Sequence, residues 1–187
     1  RAQRTCSSSI MDAVSFWHEA VDLTARPALK GDIETDVAII GAGLTGLWTA
    51  YYLQKQNPKL SITLIDKNVA GFGASGRNGG WASALFPQTT TALISTYGFD
   101  AAKALRDTMV EIISEIGRVV KAEKIDCDWN HGGTIIYART KLQEKQLRAE
   151  VAEVKETGID HLEWLSKEKV AASHSRGATF TPDCARV

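Results

Sequence analysis

No stretch of this chain approaches the roughly 20 consecutive apolar residues that a membrane-crossing helix requires. The first residues, Arg1-Ala2-Gln3-Arg4-Thr5-Cys6, carry no apolar signal core. Neither a membrane span nor export is expected, and a cytoplasmic protein is. Cysteine is scarce: Cys6, Cys127 and Cys184 are odd in number, widely spaced and free of any Cys-x-x-Cys, which excludes a disulfide framework and points to reduced thiols. The four histidines, His18, His131, His161 and His174, are scattered without metal-ligand spacing, so no metal site is expected. Charge of one sign is also missing. Lys+Arg and Asp+Glu each number 22, for a net charge of zero, and that balance gives no reason to expect nucleic acid or an anionic membrane as a partner.

What remains is the composition of a globular protein. Hydrophobic residues make up 44% and charged residues 24%, enough for a sizeable core. The length of 187 residues fits one domain, or one small domain and part of another. Residues 1–34 read as an arm, with a short apolar helix within 11–23 broken by Pro27 and Gly31. Asp36-Val37-Ala38-Ile39-Ile40 is β-branched and continuously apolar, as suits a strand buried on both faces of a parallel sheet. A helix over 44–56, stopped by Asn57-Pro58, and a strand over 61–66 complete a β-α-β unit. Residues 84–96 show no clear pattern. A long amphipathic helix is expected over 99–124, where Leu105, Met109, Ile112, Ile113, Ile116, Val119 and Val120 share one face. Next come a strand over 134–138, a charged helix over 141–156 closed by Gly158, and a short strand over 162–165. A helix over 167–172 capped by Ser166, and a strand over 177–180 ended by Pro182, finish the reading. No internal repeat or low-complexity segment stands out. The domain reading is an arm over 1–34, a nucleotide-binding segment over 35–98, and a helical segment with part of a second domain over 99–187.

The chemistry-bearing motif begins at Gly41-Ala42-Gly43-Leu44-Thr45-Gly46, placed between strand and helix. Gly41 permits the tight turn, Gly43 lets a pyrophosphate approach the main chain, and Gly46 lets the helix pack on the strand. The first amides of that helix, with its dipole, favour negative charge there. Asp66 stands 20 residues past Gly46 at the end of the second strand, where an acid accepts hydrogen bonds from a ribose hydroxyl. No Arg follows to invite a 2′-phosphate, although Lys67 does. Strand, loop, helix and acid together point to a bound dinucleotide.

Gly71-Phe72-Gly73-Ala74-Ser75-Gly76-Arg77-Asn78-Gly79-Gly80-Trp81 is so poor in bulky side chains that its backbone can lie against a flat ligand, with Ser75 and Arg77 in reach of phosphate oxygens. This segment resembles the second flavin-contacting loop of the D-amino-acid oxidase-like FAD-dependent oxidoreductases. The resemblance extends to 31–37 and more weakly to 128–138 and Thr181-Pro182-Asp183. It implies FAD as cofactor, with Gly41, Gly43, Leu44, Thr45 and Gly46 along the pyrophosphate and Asp66 and Lys67 at the adenosine ribose. It further implies Ala74, Ser75 and Arg77 at the phosphates and ribityl chain, and Asn78, Gly79 and Gly80 near the isoalloxazine ring. The implied reaction is oxidation of a carbon–nitrogen bond in a small amine or amino acid by hydride transfer to flavin N5. No catalytic residue is identified. Family members run to about twice this length. The chain opens on Arg1 and stops at Val187, and both ends read as cut. The expectation is therefore the amino-terminal part of such a protein, inactive alone. In fold terms it is α/β: a Rossmann-like FAD-binding βαβ unit with a parallel sheet, plus the start of an α+β substrate domain, forming an incomplete fold.

Two other readings stay open at this point. Asp66 allows an NAD-binding dehydrogenase, in which the second glycine loop has no obvious task. A non-catalytic nucleotide-binding or assembly module is the other. A hydrolase is not expected, because Ser75 lies in Gly-Ala-Ser-Gly-Arg rather than a Gly-x-Ser-x-Gly elbow.

Overall fold

A computed structural model describes residues 15–19, 21–170 and 174–187. The chain separates into two compact units, Arg1–Gly79 and Gly80–Val187. Of the expected arm helix, Met11 and Val14 lie outside the described residues, as does Cys6. The described part is a 3-10 turn, Phe16–Glu19.

The first unit is built on β1 (Val37–Ile40), α1 (Leu44–Gln56) and β2 (Ile62–Ile65). The two strands pair in parallel, Val37 opposite Ile62 through Ile40 opposite Ile65. A hydrogen bond from the Gly41 amide to the Ile65 carbonyl, 2.8 Å, carries the ladder into the first loop. Ahead of β1, the Asp36 carboxylate accepts from the Ser61 amide at 2.8 Å and the Thr35 hydroxyl donates to the Ser61 carbonyl at 2.8 Å. The register is thus fixed at both ends.

Burial of β1 departs from expectation. Its residues alternate between half-buried and exposed, and Ile40 is 90% exposed. The reason is the two-stranded sheet, against which α1 packs. Ile39 faces that helix, with its Cγ2 3.3 Å from where a Cβ on Gly46 would stand. By the period of two, Ile40 turns the other way.

The second unit contains β3 (Trp81–Ser83), α2 (Thr90–Tyr97), α3 (Phe99–Ala122), β4 (Thr134–Tyr137), α4 (Lys141–Thr157), β5 (Glu163–Ser166), β6 (Gly177–Thr181) and β7 (Cys184–Arg186). Strands β4-β6-β5 form an antiparallel sheet with β6 central, and β3 pairs antiparallel with β7. The helix α4 begins at a capping box between Thr140 and Gln143 and ends at Gly158, φ +66°, which satisfies orphan groups at both ends. Residues 90–97, unread in the sequence, are helical because Thr89 caps them through the Ala92 amide. The expected helix after Ser166 is not formed over 167–170. Ser166 belongs to β5, and Lys167–Lys169 make a turn, with a Lys169 amide bond to the Ser166 carbonyl; residues 171–173 lie outside the described residues. The strands β3 and β7 were too short to show alternation.

Two small apolar clusters fill this unit. Ala84, Ile113 and Ala185 gather Met109, Val110 and Trp129, and Leu93, Ala102 and Ile159 gather Phe86, Ile94 and Leu105. Arg106 of α3 is buried near both. One of its terminal nitrogens donates to the Gln88 carbonyl at 3.2 Å and the Thr90 hydroxyl at 3.1 Å, and its Nε lies 3.3 Å from Asp160 Oδ1. The Thr90 hydroxyl in turn donates to Asp160. This polar node ties the start of α2, the middle of α3 and the segment after α4. Removing the cation leaves a half-buried carboxylate unpaired. Arg106→Met is expected to destabilise this unit by about 3 kcal/mol, read as a lower midpoint in urea unfolding.

Candidate cofactor-binding site

The first unit brings both glycine loops and the acid together through three hydrogen bonds. The Ala42 amide donates to Asp66 Oδ2 at 2.8 Å. The Gly71 amide donates to the Ala42 carbonyl at 2.9 Å. The Leu44 amide, first in α1, donates to Ser75 Oγ at 2.9 Å. Ala42 is only 4% exposed, and both its peptide groups are engaged by the other two parts of the site.

The two loops are geometric copies. Gly41 and Gly71 both take positive φ, +106° and +74°. Gly43 and Gly73 both stand extended at the start of a helical turn, with φ −84° and −75°. A Cβ on Gly46 would sit 2.0 Å from the Gly41 carbonyl oxygen, and one on Gly76 would sit 2.2 Å from that of Gly71. The signal lies in the sequence, where Gly-x-Gly-x-x-Gly at 41–46 recurs at 71–76. At this small scale the chain does contain an internal repeat, contrary to the sequence reading. The short period hid it, and the second copy opens only a 3-10 turn, Ala74–Gly76.

Gly43 offers α1 no side-chain cap. Ser75 supplies one from the other loop, and its Oγ stands 2.9 Å from where a Cβ on Gly43 would be. The amides of Gly43, Thr45 and Gly46 have no acceptor among the described residues. Unsatisfied amides at a helix start, with no side chain over them, suit an anionic group. Asp66 is exposed and spends one lone pair of each oxygen on the chain, Oδ2 on Ala42 and Oδ1 on the Asn68 amide at 2.9 Å. A carboxylate has about four acceptor positions, so others remain for hydroxyl groups. The Ala42 amide first, then that of Asn68, holds this carboxyl below the ordinary carboxylate range. The donor set and the acid fit a dinucleotide with a free ribose hydroxyl.

The remaining sequence-selected residues are placed as follows. Lys67 is exposed just past β2, and Leu44, Thr45 and Ala74 are exposed. Arg77 folds back on its own loop, with Nε donating to the Phe72 carbonyl at 2.8 Å and its guanidinium 4.7 Å from the Phe72 ring centre. Asn78 Nδ2 donates to the Ser75 carbonyl at 2.8 Å. A Cβ on Gly79 would meet nothing within 4 Å. Gly80 opens the other compact unit, where its carbonyl accepts from the Val187 amide at 2.9 Å. Among the described residues no group of His, Cys, Asp and Glu could hold a metal ion, and no helix is long and apolar enough to cross a membrane. His131 bonds the Pro182 carbonyl and His161 pairs with Asp183, and Trp129 packs into a core cluster.

Two measurements test this geometry. Gly46→Ala forces a methyl into the Gly41 carbonyl and is expected to cost about 1–3 kcal/mol, seen as a lower thermal midpoint. Asp66 has a depressed folded pKa, so its contribution is present above the unfolded value near 3.9 and lost as pH falls through the lower folded value. The stability difference between wild type and Asp66→Asn is expected to be flat from about pH 8 to 5 and to shrink below about pH 4.

The chain has counterparts among known proteins. The sequence profile of the family described as FAD dependent oxidoreductase (DAO) matches residues 36–187. The chain is 32% identical over 158 residues to gamma-glutamylputrescine oxidoreductase of Escherichia coli (strain K12), covering 80% of this chain and 35% of that protein. Its fold is similar to glycine oxidase from Geobacillus kaustophilus, with TM-score 0.57 and 23% identity over 82% of this chain and 40% of the other. It is likewise similar to L-amino acid deaminase from Proteus vulgaris, with TM-score 0.59 and 20% identity over 89% and 36%. The chain spans about a third of the length of the curated relatives it matches. With the profile running from the start of β1 through both loops to Val187, the chain belongs to the DAO family of FAD-dependent oxidoreductases.

Proposed function

We propose that these residues form the FAD-holding part of an oxidoreductase that oxidises the carbon–nitrogen bond of an amine or amino acid. The observation that carries the reading is the joined pair of glycine loops, with acceptor-free amides at the start of α1 and Asp66 tied to Ala42. The names of the relatives, which specify glycine, an L-amino acid and gamma-glutamylputrescine, support the substrate class.

In this reading Gly41, Gly43, Leu44, Thr45 and Gly46 present backbone donors to the pyrophosphate, and Asp66, with Lys67 beside it, accepts from the adenosine ribose. Ala74, Ser75 and Arg77 border the phosphates and ribityl chain. Arg77 reaches them by leaving the Phe72 carbonyl or through the nitrogens not spent there. Asn78, Gly79 and Gly80 lie along the isoalloxazine edge. When bound, the flavin supplies the hydride acceptor. The chain's own residues bind and orient it, and no side chain is assigned as a base. Functionally the division remains an arm over 1–34, a cofactor segment over 35–98 and a partial substrate segment over 99–187. These 187 residues are proposed to bind the cofactor without turning over substrate. Cytoplasmic placement belongs to the same proposal and is supported by Cys127 and Cys184 both being free thiols.

The test is absorbance of the purified chain after incubation with FAD and removal of excess. A retained flavin spectrum is expected. Gly43→Val pushes a branched side chain toward Ser75 Oγ, and it is expected to lose FAD while keeping its far-ultraviolet circular dichroism. A colourless protein stabilised by NAD and not by FAD contradicts the reading.

A further inference from the structure

The turn Phe16–Glu19 precedes the family match, which begins at residue 36, yet it is docked on the second glycine loop. Trp17 Nε1 donates to the Asn78 carbonyl at 2.6 Å, across 61 residues of sequence. Phe16 meets the Trp17 ring edge-on at 5.3 Å. His18 is 7% exposed, and its Nε2 lies 3.3 Å from where a Cβ on Gly76 would stand. Neither ring nitrogen of His18 has a hydrogen-bond partner among the described residues. Burying an imidazole in that way costs free energy, so its place against Gly76 depends on directional contacts nearby, of which the Trp17 bond is one.

From Asn78 the contacts continue inward. Its side-chain nitrogen donates to the Ser75 carbonyl, and Ser75 Oγ accepts from the Leu44 amide. A continuous path therefore runs from the arm through the second loop to the start of α1. A loop with this many glycines has high conformational entropy when free, and a ligand that binds one conformation loses affinity for every alternative the loop explores.

We propose that Trp17 is a positioning residue for the cofactor: through its bond to the Asn78 carbonyl it clasps the second glycine loop in its binding conformation. Trp17 does not touch the cofactor. It bonds the loop at Asn78, whereas Asp66 takes its hydrogen bonds from the Ala42 and Asn68 amides. The inference rests on the FAD reading above, and the test separates the two.

The experiment compares the 187-residue chain with Trp17→Phe, which keeps an aromatic ring and removes the N–H, and with Trp17→Ala. FAD and ADP dissociation constants, visible circular dichroism of bound flavin and amide hydrogen exchange over 71–79 are measured. For Trp17→Phe the expectation is about 5–10-fold weaker FAD binding, ADP binding within about twofold, altered flavin dichroism and faster exchange over 71–79. Trp17→Ala shows the same split, enlarged. Equal FAD affinity and unchanged exchange in Trp17→Phe overturn the clasp. A parallel loss of FAD and ADP affinity with a lowered thermal midpoint also overturns it, since that pattern reports general destabilisation. If wild type binds no FAD, the cofactor reading fails, and exchange over 71–79 still decides whether Trp17 holds the loop.

Discussion

The peptide group of Ala42 is the point on which the first unit turns. Its amide is held by Asp66 from the end of β2, and its carbonyl by the Gly71 amide at the head of the second loop. The end of β2 and the head of the second loop thus reach back across the sequence to a residue that is almost fully buried. Ser75 adds a second tie by capping α1 in place of the side chain that Gly43 lacks. The absence of side chains in the first loop is thus compensated by the second. The loops form one structure, in which the donors left at the start of α1 are the unspent ones.

That arrangement explains why each glycine has its own reason. Gly46 and Gly76 are excluded from carrying a Cβ by carbonyl oxygens five residues earlier. Gly41 and Gly71 supply the backbone angles that turn those carbonyls inward. Gly43 leaves room for the Ser75 hydroxyl. Asp66 holds the first loop through the Ala42 amide, and that amide and the Asn68 amide hold its carboxyl below the ordinary carboxylate range.

Much of this was legible in the sequence. Helix α1 and strand β2 follow from the hydrophobic pattern and the Asn57-Pro58 stop, and α3 and α4 from strong periodicity and caps. Gly41, Gly43, Gly46 and Asp66 were legible because their spacing encodes a shape. What was not legible depends on contacts across the chain. Nothing local marks Ser75 as the cap of a helix 31 residues away, or Trp17 as the partner of Asn78. The exposed Ile40 was misread because a β-branched run looks the same whether one or both faces of its strand are covered. Strands β3 and β7, three residues each, are too short to carry a period. The helix expected after Ser166 lost to the pairing of β5 with β6, which uses Ser166 as its last partner.

The central claim is that two glycine loops, joined at Ala42 and Ser75, form one cradle for one dinucleotide. Amide hydrogen exchange of the chain with and without FAD tests it most directly. The account predicts that the amides of 41–46 and 71–76 gain protection together, over the same FAD concentration range. Protection of the first loop alone, or of neither, would contradict it.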